Sequence, residues 1–505
     1  MGIEEIQSGM ERRALFRECI RNNDAVVLGE LLSDETFTNS MRPEGANSVA
    51  VAATFGHRAV LELLIEHDFP LNERGNQGEA LLNACRGHLS EDETLSLVRY
   101  LLHKGADTNP PGQTPLHFAA RIGYARVIEC LLEAGANPSA RAYGKGWQPL
   151  HELCWGDYPS QPEENRLTIA KMLVSRGADV NDSGGLNRTT PLCRAAASGF
   201  VPMMHFLIEN GADPNIVDDN GDSPLHKSIV AVHQSRHAPA KNPIDVVFAR
   251  EMITLLLDAG ANIRTANKKG ETPIFLAIQC PDHRVVFDLL LTHGADVDAL
   301  TGEGVSPLAL ATSLNDGFFV ECLLAHHSDP LAGEKGRSAI EAAIHAGLDA
   351  ILKKLLSALK SKDLAGLSVQ LIESAAREDA ADCLRLVIPY GVNLATVFPR
   401  NKMSPLHTAA RAGSVKVLEM CLQAGSDPDV PDRLGRTPLY MAARYNRPDA
   451  VEILLRFGAD PNRTAKDGKT PLAIAHEKNK KRAIVALTEY PASANTTATT
   501  ASEFS

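Results

Sequence analysis

A proline, usually preceded by Thr or Ser and followed by Leu, returns along this chain at a near-constant interval. It falls at Pro115, Pro149, Pro191, Pro224, Pro273 and Pro307, and again at Pro405, Pro438 and Pro471. Pro405, Pro438 and Pro471 stand 33 residues apart, as do Pro191 and Pro224; Pro115 to Pro149 and Pro273 to Pro307 are steps of 34. A fixed period of this length makes each unit one small supersecondary element. Such a unit cannot bury its apolar face alone, so the units must stack. The 505-residue length fits a stack better than one globular core.

Each unit reads the same way. Thr or Ser offers an oxygen to cap a helix, and Pro takes the first helical position, where its missing N–H costs nothing. A short Ala-rich helix follows, as in LHFAAR, often stopped by a glycine such as Gly123, Gly199 or Gly413. A second helix carries apolar residues at helical spacing, for example Val127, Ile128, Leu131 and Leu132. It ends at a glycine able to take a left-handed cap: Gly135, Gly211, Gly260, Gly294, Gly425 or Gly458. An extended Ala-Asp/Asn stretch and a turn complete the unit.

This pattern resembles the ankyrin repeat over nearly the whole chain. The clear copies begin at Thr114, Thr190, Ser223, Thr272, Ser306, Ser404, Thr437 and Thr470. Divergent copies are placed at Asn47, Glu79, Gln148, Ser338 and Gln370, and residues 12–33 form a helix pair acting as an N-terminal cap, giving about 14 units. The resemblance implies an all-α repeat fold: a solenoid of stacked helix-turn-helix units with β-hairpin loops. With helix layers ~8–10 Å apart it would be a curved rod over ~100 Å long.

The irregularities set the domain reading. Residues 1–45 are expected to be capping helices, 46–356 repeats, 357–370 an irregular linker or kink, 371–490 further repeats with a cap, and 491–505 a disordered tail. The step from Pro149 to Pro191 is 42 and that from Pro224 to Pro273 is 49, which places insertions near 156–165 and 232–246. Insertions go into loops, as neutral decoration or as part of a functional edge. The stretch 357–370 is read either as a boundary or as one poorly matching turn in a continuous stack.

Composition narrows the function classes. Hydrophobic residues make up 44% and aromatics 5%, so the cores are built from Ala and Leu. A formal charge of −11, from 51 basic and 62 acidic residues, disfavours nucleic acid as a partner. The N-terminus lacks the apolar segment of a signal peptide, and no apolar run approaches the ~20 residues of a membrane span. Nine scattered cysteines have no metal or redox spacing and are expected to be reduced thiols in a cytoplasmic or nuclear protein.

No phosphate-binding, hydrolase, metalloprotease or kinase motif is present, and YGKGW at 143–147 joins two repeats without matching a phosphate loop. His326-His327 has no ligand partner in metal spacing. The motif histidines His117, His151, His226 and His407 could be paired with Thr114 or Ser404 as base and nucleophile. Sister repeats, however, hold Cys193, Phe275, Ala309, Tyr440 and Ala473 at that position, so a structural role is expected. No catalytic residue, cofactor or metal follows from the sequence, and the chain is expected to be monomeric.

The resemblance implies partner binding on the concave side, at variable positions just before the TPLH-like motif and just after its Ala pair. Carried over residue by residue, these are Arg121, Tyr143, Lys145, Trp147 and Trp155 in one region. Both tryptophans of the chain fall there, and Trp, Tyr and Arg are favoured anchors; the alternative is that Trp155 packs under the insertion containing Tyr158. A second, basic region comprises Arg400, Lys402, Arg411, Arg433, Arg436, Arg444, Tyr445, Lys466 and Lys469, followed by KNKKR at 478–482. Asp218, Asp219 and Asp222 put acids on a central loop, so the stack is expected to be acidic in the middle and basic at one end. The expected function is a non-enzymatic scaffold or adaptor for one or more proteins. Nuclear co-regulators and substrate-recruiting adaptors of ubiquitin ligases are the specialised roles implied by the resemblance.

Overall fold

A computed structural model describes residues 9–73, 79–86, 88–142, 146–154, 161–185, 187–237, 246–280, 284–334, 336–359, 364–394, 397 and 401–497. The chain forms two compact units: residues 1–268 with 280–293, and 269–279 with 294–505.

Both units are built from antiparallel helix pairs, and the caps explain where the helices begin. At Pro191–Ser198 the Thr190 hydroxyl accepts the Cys193 N–H at 3.1 Å. At Pro307–Ser313, Ser306 accepts from Ala309, and at Pro438–Arg444, Thr437 accepts from Tyr440, both at 3.2 Å. The glycines close the helices as their backbone freedom allows: Gly123, Gly199 and Gly413 end first helices with φ of 94°, 70° and 84°.

The core lies between the two helix layers. Leu116, Leu150, Leu192 and Leu225 in the first unit, and Leu308, Leu406 and Leu439 in the second, are fully buried. Beside them Ala119, Ala195, Ala409 and Ala442 are small enough for first helices to pack closely on one another. Thus Pro191–Ser198 packs on Pro224–His237, and Pro405–Ala412 on Pro438–Arg444, while the second helix Val415–Gln423 packs on Pro448–Arg456. Around residue 360 the helices on either side keep this stacking: Ala339–His345 packs on Ser368–Glu378, and Asp349–Ser357 on Ala381–Val387.

A second set of bonds runs outside the helices. Asn72, Asn109, Asn181 and Asn215 each donate from Nδ2 to a glycine carbonyl one repeat on: Gly105, Gly135 and Gly211 at 2.9 Å, and Gly260 at 3.1 Å. Each also accepts, through Oδ1, the N–H two residues beyond that glycine: Asp107, Asn137, Asp213 and Asn262 at 2.6–2.8 Å. One amide therefore satisfies a donor and an acceptor left over at the end of the neighbouring second helix.

Four features differ from the sequence expectation. No strand is present among the described residues. The loop tips are closed by a pair of backbone bonds, such as Asp218 N–H to Asp222 O at 3.0 Å with Gly221 N–H to Asp218 O at 2.9 Å, and Asp432 N–H to Arg436 O at 2.9 Å with Gly435 N–H to Asp432 O at 3.0 Å. Their outward groups bond to the preceding tip, as in Arg433 N–H to Asn401 O at 2.8 Å, so no ladder extends into a hairpin. A further helix, Glu35–Met41, is capped by Asp34, whose carboxylate accepts from Thr36 and Phe37. The insertion placed at 232–246 begins as a continuation of helix Pro224–His237, because no glycine or proline stops the helix before Pro239. The last helix, Lys481–Thr497, runs past residue 490 into the stretch expected to be disordered.

Candidate functional site

The TPLH-like motif resolves into a capping device. His117 is fully buried. Its Nδ1 accepts the Thr114 backbone N–H at 3.1 Å and lies 2.9 Å from the Thr114 hydroxyl. With Nδ1 accepting, the ring proton resides on Nε2, which donates to the Trp147 carbonyl at 2.8 Å. His407 repeats this with Ser404 and the Arg436 carbonyl at 2.9 Å, and His151 with Gln148 and the Thr189 carbonyl at 3.0 Å. Ser223 and His226 form the same cap. Where glutamate replaces histidine, Ser338 and Glu341 make the ordinary capping box. Histidine thus does the work of glutamate at the helix start and uses its second nitrogen to hold the next repeat.

In these caps the histidines serve the helix start. Burial pushes His117 down to about 4 and His151 to about 3, so both rings are neutral near pH 7 with both nitrogens engaged. Burial also pushes the thiols of Cys85, Cys154 and Cys421 up to about 12, far from the thiolate a nucleophile requires. His326 Nδ1 bonds to the Cys322 carbonyl of its own helix at 2.9 Å. Among the described residues no cluster of His, Cys, Asp and Glu is arranged to hold a metal.

Of the first candidate region, Tyr143, Lys145 and Trp155 lie outside the described residues, as does Tyr158. Trp147 is half-buried, and the buried guanidinium of Arg194 sits 3.7 Å from its ring centroid. Arg194 is anchored by its Nε bond to the His151 carbonyl at 3.0 Å. One face of Trp147 is therefore covered by a fixed cation from the next repeat. Arg121 is also half-buried, over the Phe118 ring at 4.6 Å. Just past the insertion, Gln161 donates to the Ala120 and Arg121 carbonyls and Asn165 to the Gly123 carbonyl, which pins that edge to the preceding repeat. Gly146, at φ 63°, runs so close to the neighbouring loop that a Cβ there would stand 2.7 Å from Gly185 Cα.

The basic region divides into free and occupied cations. Arg433, Lys466 and Lys402 are exposed and form no ion pair among the described residues. Arg444 and Arg411 are half-buried, and Tyr445 is exposed. Arg436, by contrast, grips Asp432 with two bonds of 2.8 and 2.6 Å within its own turn. Lys469 pairs with Glu477, which also receives Lys478. Arg400 lies outside the described residues.

The acidic middle expected from Asp218, Asp219 and Asp222 is partly neutralised by one lysine. Lys227 Nζ lies 2.7 Å from Asp218 and 2.9 Å from Asp222. Asp218 is buried and accepts the Asn220 and Asp222 N–H groups, which makes it a turn-former, as Asp432 is in its own loop. Two features escaped the sequence reading: the Arg194 cover on Trp147 and the exposed Leu434 beside Arg433. The cation of Arg194 within the otherwise apolar PLCRAAA helix was the available signal.

Comparison with known proteins decides the family. The model described as "Ankyrin repeats (3 copies)" matches residues 89–183, 162–237, 371–465 and 417–500, together more than half of the chain. The chain belongs to the ankyrin-repeat family. A single-repeat model, "Ankyrin repeat", matches residues 269–302 as well. With the helix pairs described above, the ankyrin chain is an all-α repeat solenoid.

Its relatives carry the repeats within longer proteins. It is 30% identical over 248 residues to "Putative palmitoyltransferase ZDHHC13" of Danio rerio, covering 48% of this chain and 34% of that protein. To "Neurogenic locus notch homolog protein 1" of Danio rerio it is 29% identical over 294 residues, covering 51% of this chain and 11% of that protein. To "Palmitoyltransferase AKR1" of Lachancea kluyveri it is 26% identical over 217 residues, covering 43% and 26%. The chain thus spans about a third or less of the length of these relatives. No described helix is long and apolar enough to cross a membrane.

Proposed function

We propose that this ankyrin chain is a non-enzymatic scaffold or adaptor that binds one or more proteins through its loop tips and the ends of its first helices. The carrying observation is a division of labour inside each repeat. Residues the repeats share, such as Thr114, Leu116, His117 and Ala119, are buried and bonded to one another. Residues on which the repeats differ, such as Arg433, Tyr445 and Lys466, stand at the surface on a fixed backbone. A rigid scaffold with a variable edge suits recognition. The transferase activity named for two relatives is not carried over, since the similarity spans a minor part of those proteins.

A nuclear co-regulator role is the second reading. Lys481 and Arg482 are exposed at the start of the last helix, beside Lys478 and Lys480, and such a basic run suits an import signal. Nothing comparable favours the ubiquitin-ligase adaptor. The first reading is tested by affinity purification with the full chain and a Trp147→Ala/Trp155→Ala variant. Recovery of at least one co-purifying protein is expected to drop severalfold with the melting curve intact. Unchanged recovery of every partner with unchanged melting removes these two residues from the site.

A further inference from the structure

The repeats between Ser404 and Glu477 hold a surface of defined chemistry. Arg433 and Lys466 occupy the same tip position in successive repeats, five residues before Pro438 and Pro471. The backbone N–H of each is fixed on the preceding tip, at Asn401 O (2.8 Å) and Leu434 O (2.9 Å). Their side chains are exposed and unpaired among the described residues, as is that of Lys402. Between the two cations stands Leu434, 53% exposed, and at the end of the same repeat's first helix Tyr445 is 45% exposed. Nearby acids are already engaged: Asp432 with Arg436, Glu477 with Lys469, and Asp467 with the Tyr440 hydroxyl at 3.1 Å and the Lys469 N–H at 3.2 Å.

We propose that this surface docks an extended acidic peptide segment carrying an apolar anchor. The cations at equivalent tips form a row along which alternate carboxylates can pair, and Leu434 and Tyr445 supply the apolar contact between them. A nucleic acid fits less well. A phosphate backbone makes no use of an exposed leucine. The chain's net charge of −11 repels polyanions at long range, so a short local segment is favoured. This inference rests on the reading that the repeats bind protein, and it adds the partner's chemistry.

The test is fluorescence anisotropy with the full chain and three labelled probes. These are a peptide of about 16 residues in which Glu and Asp alternate with Leu and Phe, the same peptide with Lys for each acid, and a single-stranded DNA of about 16 nucleotides, all at about 50 mM salt. Saturable binding of the acidic peptide alone is expected. Arg433→Gln/Lys466→Gln should weaken it about tenfold and flatten its salt dependence, while Leu434→Ser should weaken it severalfold with the salt dependence kept. All three substitutions are on exposed side chains, and melting curves confirm the fold. No saturable binding, equal binding of the lysine peptide, tighter binding of DNA, or indifference to both variants overturns the proposal. Failure here with Trp147-dependent partner recovery leaves the general scaffold reading standing; unchanged recovery in the Trp147/Trp155 variant with intact acidic-peptide binding removes the tryptophans and leaves this surface standing.

Discussion

At the scale of single residues, the motif histidine is the most consequential group in the chain. His407 satisfies the Ser404 N–H and hydroxyl with one nitrogen and the Arg436 carbonyl with the other. Leaving a buried polar group unpaired costs about 1–3 kcal/mol, so His407→Ala is expected to lower unfolding free energy by about 3 kcal/mol. His407→Glu should recover part of the loss, because glutamate closes the cap as Glu341 does but cannot donate to Arg436. Urea unfolding of both variants checks this; a His407→Ala midpoint equal to wild type would refute the capping role. That the motif histidine is structural was legible in the sequence, from its replacement in sister repeats. Its bond to the following repeat was not, because the partner is a backbone carbonyl that no residue type reveals. Arg436 shows the opposite failure. Its charge looked available for a partner, yet Asp432, four residues back, holds it.

At the scale of elements, the helix starts and stops were legible because they are local. Thr or Ser before Pro, and Gly after the second helix, act through their own φ and hydrogen bonds. The helix Glu35–Met41 and the extension to His237 were not, since neither carries the repeat's punctuation. The asparagine bonds between repeats were also invisible, because their partners lie 26 to 47 residues away in sequence. They carry a clear expectation. Asn181→Ala removes the bonds to the Gly211 carbonyl and the Asp213 N–H and should cost about 1–2 kcal/mol, as each bond contributes about 1. Asn181→Asp should cost less, because it keeps the acceptor and loses only the donor. Asp429 already serves this way for the Asp460 N–H. Denaturation midpoints ranking wild type above Asn181→Asp above Asn181→Ala are the expected outcome, and a reversed order of the variants counts against the two-bond account.

At the scale of the whole molecule, the histidine caps recur in both compact units and so tie stability to pH. His117 and His151 are pushed down to about 4 and about 3, and His407 is lowered as well, in each case chiefly by burial. In the unfolded chain each would titrate near the ordinary ~6.5. Their contribution is therefore complete above about pH 6.5 and is lost as pH falls from there toward about 4. Urea midpoints should fall steeply between about pH 6.5 and pH 4.5, before most carboxylates titrate. His117→Gln should flatten that dependence measurably; a profile flat over this range in the wild type would rule the linkage out.

The histidine bond has one more consequence. Its acceptors in three of the repeats belong to Trp147, Thr189 and Arg436, three side chains with nothing in common. The bond to the histidine asks of that position only its main-chain oxygen. Whatever side chain stands there can drift under selection for a new ligand while the joint between repeats stays unaltered. Architecture and specificity are thereby written on different atoms of the same residue, which lets one scaffold acquire new recognition without renegotiating its own assembly.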